Sequence, residues 1–235
     1  MVKEEPNLCI IIPAFNAADT LPAVLAEVCD HGLPILVVDD GSTDETGETA
    51  NEAALAVLSH PENRGKGAAL KTGFAEASNR GFTHALTLDA DGQHPANLIP
   101  VFVEACREFP RAILVGNRFG EGSTDEMPKI RHISNSISSK LISMAARKTI
   151  PDAQCGMRIY PLDTALSFNL ESDGYAMESE VLVKAGRRGI QVLNIPISCH
   201  YPDGTATSRY RAIVDSARIA RAVLRSLRKG EDPNQ

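Results

Sequence analysis

The residues that could do chemistry stand directly behind two short apolar runs. Val37-Val38 leads into Asp39-Asp40-Gly41-Ser42, and Leu88 leads into Asp89-Ala90-Asp91-Gly92. Two carboxylates two positions apart in extended backbone project to one side. Hard oxygen donors placed in this way suit Mg2+ or Mn2+, which keep open positions for phosphate oxygens. Gln93 is spaced to add a third ligand, so the candidate metal set is Asp89, Asp91 and Gln93. A solvated acidic turn is the plainer alternative; the apolar strand before it and the second acidic pair weigh against it. A third segment, Asn63-Arg64-Gly65-Lys66-Gly67, opens a helical pattern. Its glycines let backbone N–H groups approach an anion. Neither a Walker loop nor the dinucleotide Gly-x-Gly-x-x-Gly is present. His94, just before Pro95, reads more simply as a loop or N-cap neighbour than as a metal ligand.

The elements that must position these residues follow from periodicity. Apolar runs predict buried strands at 8–12 and 35–38, a strand candidate at 55–58, and strands at 83–88 and 112–115. Between them, helical spacing covers 18–30 (Leu21, Val24, Leu25, Val28), a helix capped by Ser42 or Thr43, 67–79 and 95–109. Strands alternating with helices give an α/β fold, a mostly parallel sheet with helices on both faces. The acidic pairs then lie at carboxyl ends of strands, where open α/β sheets bind ligands. The second half reads as a Gly- and acid-rich loop (120–128), a long helix (130–148), a strand (157–160), a helix (178–188), a strand (191–198), a polar loop (200–208) and a long C-terminal helix (210–229).

Composition bounds the class. The 235 residues are 43% hydrophobic and 23% charged, an ordinary globular balance. No apolar run approaches the ~18 residues that would span a bilayer, and the N-terminus lacks a signal-peptide pattern, so a cytoplasmic protein is expected. Five scattered cysteines without a C-x-x-C pair argue against a zinc site or a disulfide framework. The net charge of −6 is uneven: residues 1–50 hold one lysine against ten acids, and residues 181–235 hold ten Lys/Arg against four. An acidic front excludes a general nucleic-acid binder, whose binding face would be basic throughout.

The motifs, taken in order, carry a resemblance. Ile11-Ile12-Pro13-Ala14-Phe15-Asn16, Val37 to Asp44, Asn63-x-Gly65 with Gly73, and Leu88 to Pro95 resemble a family 2 glycosyltransferase of the GT-A (Rossmann-like) fold. The resemblance is to the branch of dolichol-phosphate mannosyltransferase and bacterial polyprenyl-phosphate glycosyltransferases. Gly116-Asn117-Arg118, Arg131 with Ser134, Asp152 to Arg158, and Gly174-Tyr175 with Glu180 extend it over residues 8–198. It implies metal-dependent, inverting transfer of a sugar from a GDP- or UDP-sugar to an acceptor, a polyprenyl phosphate or other lipid-linked or small molecule. It implies nucleotide contacts from Pro13, Ala14, Asn16, Asp40, Gly65, Lys66 and Asp89, and metal ligation by Asp89, Asp91 and Gln93. Arg118, Arg131, Gln154 and Arg158 would face the donor sugar and phosphates; Ser134, Tyr175 and Arg209 would face the acceptor. The sequence departs from the family pattern at Ala17, where glutamate is usual, and after Pro196-Ile197, where an arginine is often found.

The reaction fixes the remaining roles. Charge grows on the departing diphosphate, so a metal held by Asp89 and Asp91, with Arg118 or Arg131, supplies the main stabilisation. An alcohol acceptor needs a general base, for which Glu178 and Glu180 are equal candidates; a lipid phosphate is already ionised and needs positioning by Arg131 or Arg209. The expected organisation is a catalytic domain over 1–208 and a basic amphipathic helix and tail over 209–235. That helix has Ile213, Ala217, Ala220, Leu224 and Leu227 on one stripe with five arginines and Lys229 around it. It either lies on an anionic membrane surface, placing the protein at the membrane's inner face, or packs on the domain. Two other readings stand beside the transferase: a haloacid dehalogenase-like Mg-dependent phosphatase, from the Asp-x-Asp-Gly sequence, and a non-catalytic nucleotide-sugar binding domain.

Overall fold

The computed structural model describes residues 5–51, 53–119 and 129–197, the first three of the last stretch by backbone alone. Seven strands form one sheet: β1 (Leu8–Ala14), β2 (Ile35–Asp39), β3 (Ala56–Ser59), β4 (His84–Thr87), β5 (Ile113–Asn117), β6 (Arg158–Pro161) and β7 (Val192–Pro196). Their order is β3-β2-β1-β4-β6-β5-β7. The helices are α1 (Leu21–Cys29), α2 (Thr46–Ala50), α3 (Lys66–Asn79), α4 (Ile99–Glu108), α5 (Lys129–Ala146), α6 (Leu162–Ser167) and α7 (Ala176–Arg187).

The mostly parallel sheet expected from the alternation is present, and its central strands are the continuous apolar runs. Leu8–Ile12 and Ile35–Val38 are buried on both faces, as strands between two helical layers must be. On α1 the buried side chains are Leu21, Val24, Leu25 and Val28, the four that helical spacing selects. Cys9, Cys106 and Cys155 are buried free thiols.

Two expectations are corrected and one element is added. The helix after Asp39-Asp40 is not capped by Ser42 or Thr43; it starts at Thr46, and the Ser42 hydroxyl instead accepts the Asn16 N–H at 2.8 Å. The segment Ala90–Asp91 is a turn, not extended backbone, and the Asp91 carboxylate closes it by accepting the Gln93 N–H at 3.1 Å. α6 was absent from the sequence reading; six residues directly after a strand are too few for periodicity to reveal. The C-terminal helix and the proposed boundary at 208 lie outside the described residues, as do the loop at 120–128 and Arg209.

Two features of the sheet build the site. Strand order reverses between β1 and β4, so the loops behind these two strands part and leave a crevice at their carboxyl ends. β6 runs antiparallel to both β4 and β5, pairing Arg158 with Thr87 and with Val115. Residues 152–157, which lead into β6, are thereby carried to the same end of the sheet as Asp89.

Candidate active site

The first wall of the crevice is a cross-braced pair of loops. Asn16, at φ 46°, accepts the Thr43 N–H through Oδ1 at 2.7 Å, while its own N–H donates to Ser42. The Ala17 N–H donates to the Thr46 hydroxyl at 2.8 Å. Pro13 and Ala14 end β1, and the Ala14 carbonyl accepts the Asp40 N–H at 2.8 Å. Asp40 is only 2% exposed, and the chain itself uses both of its oxygens. Oδ1 accepts from His60 Nδ1 at 2.6 Å and from the Arg64 N–H at 3.0 Å; Oδ2 accepts from the Gly65 N–H at 2.7 Å. His60 Nε2 continues the chain to the Thr72 hydroxyl at 2.9 Å. The resemblance implies a nucleotide contact for Asp40; its carboxylate also holds the loop that presents Lys66. Gly65, at φ 96°, turns that loop where a Cβ would lie 2.7 Å from the Asp173 carbonyl oxygen, so only glycine fits.

The centre of the crevice is one ammonium between two carboxylates. Lys66 Nζ lies 2.6 Å from Asp89 Oδ1 and 3.0 Å from Glu178 Oε2, and 5.9 Å from the centroid of the Tyr175 ring. His94 Nε2 lies 3.5 Å from Asp89 Oδ2, and its Nδ1 is buried without a hydrogen-bond partner. Burial opposes charge on Lys66, yet Asp89 and Glu178 hold its pKa above the ordinary lysine range. Burial likewise opposes ionisation of Asp89, but Lys66 and His94 hold it well below the usual carboxylate range. Asp91 goes the other way: burial, then the charge of Asp89, raises it. Gly156 packs directly under Asp89, where a Cβ would lie 2.7 Å from its Cγ. The Thr87 hydroxyl pins this contact by donating to the Gly156 carbonyl at 2.8 Å.

The third wall is the 152–158 segment, and here two expected ligand residues turn out to be internal braces. Arg118 is 2% exposed; its Nε and one terminal nitrogen grip Asp152 at 2.7 and 2.9 Å. Arg158 is fully buried and donates to the carbonyls of Ala153, Cys155 and Glu178 and to the Tyr160 hydroxyl. Through these bonds both buried guanidiniums organise the loop beneath the crevice. Gln154 lies on this loop, and its Nε2 is buried without a hydrogen-bond partner among the described residues.

The two candidate bases separate cleanly. They are two positions apart on α7 and so face different ways. Glu178 meets Lys66, with its Oε1 lacking a hydrogen bond and lying 3.8 Å from Arg158 Nε. Glu180 accepts the Glu171 and Ser172 N–H groups and pairs with Lys184 at 3.0 Å, bracing the preceding loop away from the cluster. Gln93 is 3% exposed beside the Asp91 turn. Ser134 and Tyr175 are half-buried on α5 and at the start of α7; the side chain of Arg131 lies outside the described residues. His94 lies in the loop as expected, but its approach to Asp89 was not foreseen. Its signal was only its position behind Asp91 in a turn, which points it back at Asp89.

A β3-β2-β1-β4 half with acidic residues at the switch point, completed by an antiparallel strand that returns a loop under them, defines the GT-A class of fold. The chain belongs to Glycosyl transferase family 2, whose profile matches residues 9–164. It is 28% identical over 203 residues to Glycosyltransferase AglJ of Haloferax volcanii, spanning 86% of this chain and 66% of that protein. It is 29% identical over 210 residues to Polyprenol monophosphomannose synthase of Mycolicibacterium smegmatis, spanning 84% and 78%. In fold it is similar to glucosyl-3-phosphoglycerate synthase from Mycobacterium tuberculosis, solved with Mn2+, UDP and glucosyl-3-phosphoglycerate. That likeness has a TM-score of 0.72 at 17% identity, covering 95% of this chain and 81% of the other. Family membership sets aside the haloacid dehalogenase-like reading.

Proposed function

We propose that this chain transfers a hexose from a GDP- or UDP-sugar to a polyprenyl phosphate or a similar lipid-linked acceptor, with inversion at the anomeric carbon and a divalent metal at Asp89 and Asp91. The observation that carries the reading is the Asp89–Lys66–Glu178 cluster at the switch point with Asp91 beside it. The donor set fits the metal. Burial and the charge of Asp89 raise the cost of ionising Asp91, a cost that a dication offsets, and all-oxygen donors suit Mg2+ or Mn2+. Gln93 is the third ligand in this reading. When bound, the metal would neutralise charge on the departing diphosphate.

The chain's own residues do the rest. Asn16, Pro13 and Ala14 line the first wall for the nucleoside, with Gly65 and Lys66 at the phosphates. Gln154 Nε2 is available to the sugar. An acceptor phosphate oxygen bonds to the anomeric carbon as the carbon–oxygen bond to the diphosphate breaks, and the nucleoside diphosphate leaves with that electron pair. No proton need be removed from such an acceptor. For an alcohol acceptor, Glu178, beside Lys66, is the base in this reading, supported by the engagement of Glu180 with the Glu171 and Ser172 N–H groups. Arg131, Ser134, Tyr175 and Arg209 are the acceptor contacts in this reading.

A membrane-bound acceptor is supported by α5. Ile133, Ile137, Leu141 and Met144 form one stripe exposed by 46–68%, on a helix without a single acidic residue. Among the described residues no helix is long and apolar enough to cross a membrane. Surface contact at the inner face, through α5 and the basic C-terminal segment, supplies the access.

The test is turnover with purified donor, metal and short-chain polyprenyl phosphate, with Asp91→Ala as comparison. Transfer by the native chain and none by a folded Asp91→Ala is expected. Full activity in Asp91→Ala sinks the metal role; tight nucleotide binding with no transfer to any acceptor favours a binding domain.

A further inference from the structure

Asp89, more exposed than Glu178, is already neutralised by the chain. Lys66 is the first residue of α3, and its side chain, 14% exposed, ends between Asp89 at 2.6 Å and Glu178 at 3.0 Å. A divalent cation on Asp89 would meet that ammonium on the same carboxylate, and the two repel. Yet the parts of the cluster differ in how easily they move. Asp89 is packed on Gly156, and Glu178 is buried at the start of α7. The lysine is a point charge on a flexible four-carbon stem, able to turn without backbone movement.

We propose that Lys66 is a resident counter-cation that changes partners: it sits on Asp89 in the chain alone and moves to the diphosphate when a nucleotide enters, so that metal and nucleotide bind together. The inference rests on the metal-dependent reading above. Glu178 makes the exchange feasible, because an ammonium that leaves Asp89 keeps a carboxylate at its side. A nucleoside diphosphate brings the anionic oxygens that receive it, and charge-assisted contacts of this kind are strong. Metal alone brings no such partner and must work against the ammonium. Lys66 thereby adds to the coupling that a metal touching the diphosphate would give the two binding events by itself.

The test is Mn2+ binding, read from the electron paramagnetic resonance signal of free Mn2+. The full chain is titrated alone, with UDP and with GDP, as wild type, Lys66→Met, Lys66→Gln and Lys66→Arg, each checked for folding by circular dichroism. Wild type should bind Mn2+ weakly alone and at least about tenfold tighter with its nucleotide. Lys66→Met and Lys66→Gln should bind Mn2+ alone at least about tenfold tighter than wild type and gain less from nucleotide, while Lys66→Arg follows wild type. The proposal is overturned if the neutral variants bind Mn2+ alone no tighter than wild type. It is also overturned, without any variant, if wild type binds Mn2+ equally well with and without nucleotide. Wild type that takes up no Mn2+ under any condition fails at the earlier step, the metal-dependent reading itself.

Discussion

Arg118 and Asp152 close a buried ring: the carboxylate takes the guanidinium at 2.7 and 2.9 Å and also the Arg118 backbone N–H at 3.1 Å. The pair joins the end of β5 to the loop that passes under Asp89. Burial alone would raise the Asp152 pKa, but Arg118 holds it below the ordinary carboxylate value.

Its contribution to stability therefore follows pH with a definite sign. A depressed folded-state pKa stabilises above the unfolded value of about 3.9 and is lost as pH falls through the folded value. Melting temperature should be flat in this respect from neutral pH to about pH 5 and decline below it. Asp152→Asn leaves a buried guanidinium without its counter-charge, so it should cost about 3–5 kcal/mol at neutral pH and flatten part of the acid decline. Thermal melts of both proteins between neutral and acid pH measure it; equal melting temperatures at neutral pH contradict it.

The fold was legible where the chain repeats a simple period. The runs at 8–12 and 35–38 and the spacing of Leu21, Val24, Leu25 and Val28 give the parallel core and α1 directly. The direction of β6 was not legible, because antiparallel pairing with β4 and β5 is decided by partners some forty to eighty residues away. The site divides in the same manner. Asp89 and Lys66 were named from their motifs and Glu178 as one of two candidate bases, but their meeting at one nitrogen is a tertiary fact. Arg158 and Arg118 were expected at the donor sugar and phosphates only because the family resemblance implies it, and arginine seldom lies inside a protein. Only the carbonyls of Ala153, Cys155 and Glu178, and the carboxylate of Asp152, show what surrounds them.

The opposite placement of the two glutamates on α7 yields a paired comparison. Glu178→Gln removes the second anion from Lys66 and should lower kcat at least about tenfold, about 1.4 kcal/mol of barrier. Glu180→Gln loosens the Glu171 and Ser172 backbone instead, so its effect should fall on melting temperature, about 1–3 kcal/mol. Steady-state rates beside thermal melts separate them; a larger kcat loss in Glu180→Gln would reverse the assignment.

Gly156 sets the position of Asp89 by having no side chain. In Gly156→Ala the new methyl overlaps the Asp89 carboxylate and the Thr87–Gly156 bond resists retreat. The carboxylate should move, and a displacement of about 1 Å at such a site costs about 10²-fold in rate. Loss of Mn2+-dependent nucleotide binding with a preserved circular dichroism spectrum is the expected result. Unchanged binding would mean that the loop yields instead.

The stripe on α5 makes a prediction about surfaces. Ile137 and Met144 are 56% and 68% exposed, so replacing both by serine leaves the core untouched and should change melting temperature little. On α5 and the two residues after it, five Lys/Arg face no acid in sequence, and the C-terminal segment is basic too. Like charges disfavour packing these two segments together, and both favour one anionic partner. Each basic residue near an anionic bilayer is worth about 1 kcal/mol, and the buried stripe adds an apolar term that salt does not screen. The wild-type chain should therefore sediment with phosphatidylglycerol vesicles and not with phosphatidylcholine vesicles, and lose most of that binding at high salt. The double serine variant should bind anionic vesicles more weakly at every salt concentration. Equal binding by variant and wild type would remove α5 from the contact and leave the C-terminal segment as its carrier.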